Sequence, residues 1–162
     1  ISMGHRRIGI ISGPVNSFNS QKRLVGIQQA LFEASIPYNV GTTVIGDWTR
    51  ECGYHAASQL LSQGVTAIYA FSDKMISGVY TYCIEHRISV GKDISLFGFD
   101  DSDIVHAYTP PLASAKPDLQ EMGHKAAELV LAQLQGKTVC TKCHVLPCTI
   151  HVRPSVCSIG EA

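Results

Sequence analysis

Apolar runs of strand length alternate with stretches of helical spacing along this chain, and that alternation constrains the fold more than any single motif. Arg7 to Ile11 reads as a strand broken by Ser12-Gly13-Pro14. Leu24, Ile27, Leu31 and Ala34 then recur at helical spacing in a segment that Ser20 can cap. Tyr38 to Ile45 is β-branched material, and Thr49 can cap a second helix with Ala56, Ala57, Leu60 and Leu61 as its stripe. Ala67 to Phe71 is the next strand. Ser72 or Asp73 caps a helix carrying Met75, Ile76, Val79 and Ile84. Ile94 to Phe99 is a further strand, and Pro110-Pro111 marks a crossing into a short one near Leu112 to Ala115. A long helix, Asp118 to Gln135, stops at Gly136. Parallel strands need crossover helices, so this order predicts an α/β fold with a doubly wound, mostly parallel sheet.

Three of the predicted strands run straight into hydrogen-bonding groups. Leu96-Phe97-Gly98-Phe99 ends in Asp100-Asp101, Ala67 to Phe71 ends in Ser72-Asp73, and Arg7 to Ile11 leads through a Gly/Pro/Asn/Ser loop to Arg23. Open α/β sheets bind ligands at the carboxyl ends of their strands, so the three ends together predict a small-molecule cleft of sugar size. Arg23 offers a planar fork of donors at a helix start, where its charge gains nothing from the helix dipole. Asp100 can accept from two hydroxyls and can pair with Arg23 when no ligand is present. Trp48, the only tryptophan, can lay its indole on the apolar face of a pyranose. Ser72 adds a hydroxyl at a helix N-terminus. Phe18 and Asn19, in the loop before Arg23, add a wall and a hydrogen bond. Asp73 reads as a helix cap, and Asp101 as a cap or a tie between loops.

Bulk properties narrow the function class. Thirteen basic and thirteen acidic residues among 162 cancel, which argues against a large nucleic-acid-binding face on this segment. No apolar run reaches a membrane span, and the N-terminus lacks the apolar core of a secretion signal. Six cysteines are too sparse for a disulfide scaffold. Cys52 and Cys83 fall in helical patterns as small hydrophobes. Cys140, Cys143, Cys148 and Cys157, with His144 and His151, have zinc-ligand chemistry, and Cys140-Thr141-Lys142-Cys143-His144 matches the short haem-attachment pattern. The competing reading is a strand-rich tail around Cys143 to Leu146 and Thr149 to Val152. Haem attachment requires export, so reduced thiols with no metal or cofactor are expected. No nucleophile elbow, phosphate-cradling glycine loop or helical histidine pair is present. Asp100 and Asp101 are adjacent, so their side chains diverge, which suits acid–base pairing poorly. A non-enzymatic binding domain is expected.

The order of motifs carries a resemblance. His5-Arg6-Arg7-Ile8-Gly9, Arg23-Leu24-Val25-Gly26, Gly53-Tyr54-x-Ala56-Ala57, Ser72-Asp73-Lys74-Met75, Asp93 to Asp101, Pro110-Pro111-Leu112, Glu121-Met122-Gly123 and Arg153-Pro154-Ser155 follow one another. This series resembles the effector-binding core of the lactose/galactose repressor (LacI/GalR) family of bacterial transcription regulators, whose sensor is two-lobed and periplasmic-binding-protein-like. Ala113-Ser114, Gly91-Lys92 and Pro154 depart from the family pattern, away from the proposed ligand contacts.

The resemblance implies a cytoplasmic repressor that binds operator DNA as a homodimer through a helix-turn-helix domain not in this chain, and that responds to a small, sugar-like effector. Ile1 and Ser2 precede Met3, and the chain reads as a fragment. Residues 1–117 would form the C-terminal lobe, 118–148 a helix and strand of the other lobe, and 149–162 a return strand and tail. Tyr108, Met75 and Val79 would lie at the subunit contact. The stripe of the Asp118–Gln135 helix is expected to dock on this lobe or against a second copy. A periplasmic sugar-binding protein of a transport system shares the fold and is the alternative.

Overall fold

The computed structural model describes residues 1–137 and 144–159. Its strands are β1 (Ile8–Ser12), β2 (Thr43–Ile45), β3 (Ala67–Ala70), β4 (Ser95–Phe99), β5 (Ala113–Pro117) and β6 (Cys148–His151). The helices are α1 (Phe18–Glu33), α2 (Arg50–Ser62), α3 (Asp73–Glu85), the short α4 (Asp103–His106) and α5 (Leu119–Leu134). One sheet runs β2-β1-β3-β4-β5-β6. The first five strands are parallel, and β6 closes the edge antiparallel to β5, with Ser114 opposite His151 and Pro117 opposite Cys148. The return strand therefore begins at Cys148, whereas 144–147 are not strand.

Strand alternation sends neighbouring residues to opposite faces. A Cβ on Gly9 would meet Leu60 of α2 at 3.2 Å, while Ile8 and Ile10 line a concavity shared with Leu31 of α1. α1 and α2 thus lie on opposite faces. α2 and α3 cross with their backbones in contact. A Cβ on Gly53 would fall 1.9 Å from the Met75 carbonyl oxygen, and one on Gly78 would fall 1.9 Å from that of Arg50. That close approach seals Met75 and Val79 at 0% exposure. The expectation that they meet a partner subunit is corrected, because no surface remains on either. Tyr108 keeps part of its surface and packs on Tyr80, ring centroids 4.3 Å apart.

The local signals shift at several ends. Ser17 caps α1 by accepting from the Ser20 N–H, so Phe18 and Asn19 form the first helical turn instead of a loop. Most of the predicted Tyr38–Ile45 strand is a loop and a 3-10 turn at Val40–Thr42. Thr49 and Asp118 cap α2 and α5. α5 has no buried residue, and Leu119, Met122, Val130, Leu131 and Leu134 are all exposed. It does not dock on the rest of the described chain.

Candidate functional site

At the carboxyl ends of the parallel strands a cleft of about 370 Å³ is lined by Trp48, Ser72, Asp73, Lys74, Asp100 and Ser102. Three predicted contacts, Trp48, Ser72 and Asp100, converge here from three different strand ends. Trp48 follows β2 with φ +70°, and its indole lies over Gly13, just past β1. A Cβ on Gly13 would sit 2.0 Å from indole Cζ2, so only glycine seats the ring. Ser72 caps α3, its Oγ accepting from the Met75 N–H at 3.3 Å. The hydroxyl hydrogen of Ser72 remains to donate toward the cleft.

Arg23 is held differently from expectation. Its Nη1 donates to the Phe71 carbonyl, and its guanidinium stacks 3.5 Å from the Phe99 ring centroid and 6.0 Å from that of Trp48. It forms no ion pair with Asp100 among the described residues. Cation–π stacking and one carbonyl acceptor anchor the guanidinium, so the Asp100 carboxylate has no salt-bridge partner among the described residues and stays open to a ligand. Protein packed around Asp100 raises its pKa, the Arg23 charge opposes that, and the Asp73 charge adds to it.

Asp73 does not cap α3; Ser72 does. The Asp73 carboxylate is buried beneath Gly98, where a Cβ would lie 2.4 Å from Oδ1. Oδ1 accepts from Ser114 Oγ at 2.7 Å, and Oδ2 accepts from the Ser102 N–H at 2.7 Å and from Ser102 Oγ at 2.9 Å. Burial pushes its pKa up, against those hydrogen bonds. Asp73 therefore braces the loop that carries Asp100. Asp101 points the other way, toward the return strand, where Arg153 and His151 donate to it. Asp100 and Asp101 have φ +116° and +51°. Positive φ is costly for residues other than glycine and persists where surrounding bonds over-determine it.

Phe18 and Asn19 are exposed on α1 and do not line this cleft; the ammonium of Lys22 sits 5.4 Å from the Phe18 ring centroid. A second concavity of about 630 Å³ shares Asp100 and Ser102 and continues past Lys116, Leu119 and His151. Sequence reasoning missed Gly13, Phe99, Ser102, Ser114, His151 and Arg153. The Gly13-Pro14 break and the Arg153-Pro154-Ser155 motif carry a local signal, and His151 stands out only as a candidate metal ligand. Ser114, a departure from the family pattern away from the proposed ligand contacts, joins two of the strand-end carboxylate residues: its Oγ donates to Asp73 at 2.7 Å and accepts from the Asp101 N–H at 3.1 Å.

Cys140 and Cys143 lie outside the described residues, and with them the haem pattern. Cys148 is exposed on β6, Cys157 Sγ lies 3.4 Å from Ser95 Oγ, and His151 is engaged by Asp101. No described helix is long and apolar enough to cross a membrane.

Residues 1–156 match the periplasmic binding protein-like domain family. The HTH-type transcriptional repressor CytR of Escherichia coli K12 is 34% identical over 154 residues, 94% of this chain and 45% of the relative. The lactose operon repressor of the same strain is 30% identical over 141 residues, 86% of this chain and 39% of the relative. The structure of the transcriptional regulator CelR–cellobiose complex is similar with a TM-score of 0.89 and 31% identity, over 95% of this chain and 48% of that one. The chain thus spans less than half the length of these three proteins.

Proposed function

Because this chain belongs to the periplasmic binding protein-like domain family, among LacI/GalR-type repressors, we propose that it is the effector-sensing lobe of a DNA-binding transcriptional repressor. The effector is a small, sugar-like molecule, and its binding alters operator affinity. The observation that carries this reading is the convergence of Trp48, Ser72 and Asp100 on one cleft with Arg23 beside it. An indole face, a carboxylate and a hydroxyl, with Arg23 anchored on the Phe71 carbonyl and the Phe99 ring, suit a polyol with one apolar face. Binding, with no reaction, is the role assigned to the cleft, and the relatives are repressors.

The remainder of the regulator would supply a helix-turn-helix and the other half of a two-lobed sensor, working as a homodimer in the cytoplasm. Residues 1–117 make one lobe; α5 belongs to the other, which its uncovered apolar stripe supports. Tyr108 is the contact to a second copy. A sugar-binding protein of a transport system is less favoured, since the relatives named above are repressors. The test is a gel shift of the longer protein on its operator, with a carbohydrate panel. An effector-dependent change in DNA affinity is expected. Sugar binding without any DNA binding overturns the regulator reading.

A further inference from the structure

At the opposite, amino end of the sheet lies a cleft of about 400 Å³, formed where β1 begins and α1 ends. Ligand pockets start at roughly 300 Å³. Its floor is apolar, with Ile10 and Leu31 at 1% and 5% exposure. Arg6, Arg7, Tyr38 and Asn39 stand on its rim, and no carboxylate lines it. Arg6 Nη1 is fixed by the carbonyls of Ile1 and His5 at 3.0 and 3.2 Å. Arg7 is exposed, and neither arginine forms an ion pair among the described residues. At the α1 C-terminus nearby, the Leu31 carbonyl accepts from the Ile36 N–H at 2.8 Å and the Phe32 carbonyl from the Ser35 N–H at 3.0 Å, so both already have a partner.

We propose that this cleft is a second small-molecule site, separate from the strand-end cleft, for a small amphipathic carboxylate. The carboxylate takes donors from the Arg7 guanidinium, whose planar fork matches it, and from Nη2 or Nε of Arg6, whose Nη1 already holds two backbone carbonyls. The apolar body lies on the still partly exposed Ile8, Pro37 and Tyr38, above the floor of Ile10 and Leu31. The proposal does not depend on what the strand-end cleft binds.

Calorimetric titration of the chain with 4-phenylbutyrate, against uncharged 4-phenylbutan-1-ol, tests it. The carboxylate should bind about tenfold or more tightly than the alcohol, the scale of a charge-assisted hydrogen bond. Arg7→Gln should weaken it about fivefold or more, and Asp100→Ala should leave it unchanged. In the unaltered chain, amide NMR shifts on adding 4-phenylbutyrate should concentrate at Leu31, Tyr38 and Asn39, a readout independent of whether any variant folds. No saturable binding, equal binding of the alcohol, indifference to Arg7→Gln, or shifts centred on Trp48 and Asp100 each overturn the proposal.

Discussion

Asp101 and Arg153, 52 residues apart, meet through a 2.6 Å hydrogen bond from Arg153 Nη2 to Oδ1 of a carboxylate only 3% exposed. His151 Nδ1 donates to the other oxygen at 2.8 Å, and Arg153 Nη1 ties the Leu112 carbonyl at 2.6 Å. The pair thus bolts the end of β4 to the return strand, directly beside the residue that faces the cleft. Arg153→Ala would leave a buried charge short of its partner and should cost about 3 kcal/mol of stability. Urea unfolding of variant and parent measures it. A loss near zero would show that Asp101 is hydrated or protonated instead.

The same pair predicts a pH dependence. Burial alone would raise the Asp101 carboxyl, but hydrogen bonds from Arg153 and His151 outweigh it and hold the folded pKa below the ordinary value. A depressed carboxylate stabilises the fold fully above the ordinary Asp value of about 3.9, and that contribution disappears as pH falls through the folded value. Urea midpoints of the parent should therefore drop more steeply below about pH 4 than those of Asp101→Asn. Parallel curves would assign the acid loss to other carboxylates.

Gly13 and Trp48 give an optical test of the cleft. With a Cβ at position 13 landing 2.0 Å from the indole, Gly13→Ala must expel the ring. Trp48 is the only tryptophan, so its emission reports the site alone. The variant should fold, shift its emission to the red and lose effector affinity. An unchanged spectrum would mean that the indole is not seated on Gly13.

Asp100→Ala and Arg23→Ala should each cost on the order of 2 kcal/mol in effector affinity, by different routes. Asp100 loses direct acceptors. Arg23 loses the brace on the Phe71 carbonyl and the cover over Phe99, so its variant should also lose thermal stability, whereas Asp100→Ala should not. Calorimetry and thermal melts of the longer protein separate the two. Full affinity in both variants would place the effector elsewhere.

The uncovered face of α5 predicts self-association of this chain. Five apolar side chains remain exposed along it, at about 25 cal/mol per Å² of apolar surface. Sedimentation velocity should show a concentration-dependent dimer, weakened by Leu131→Lys together with Met122→Lys. A monomer at every concentration would remove the argument that this stripe seeks a partner.

Much of this protein is legible in local sequence because the signals are themselves local. Periodicity distinguishes strand from helix, and Thr49 and Asp118 name their own helix starts. Polar groups at strand ends mark the cleft, because a parallel sheet delivers those ends to one edge. The partners of those groups are a different matter. Arg23 chose the Phe71 carbonyl and the Phe99 ring over Asp100, Asp73 chose Ser102 and Ser114 over its own helix, and Asp101 chose Arg153. Each of these contacts is set by the distance between separate elements after the sheet has formed. Met75 and Val79 make the same point for the core. Their spacing says only that one helical face is apolar; whether it meets a partner or α2 depends on Gly53 and Gly78 letting two backbones touch. Periodicity belongs to one segment and can be read from it, whereas hydrogen-bond choice and burial depend on which segments are brought together, and that is decided only in three dimensions.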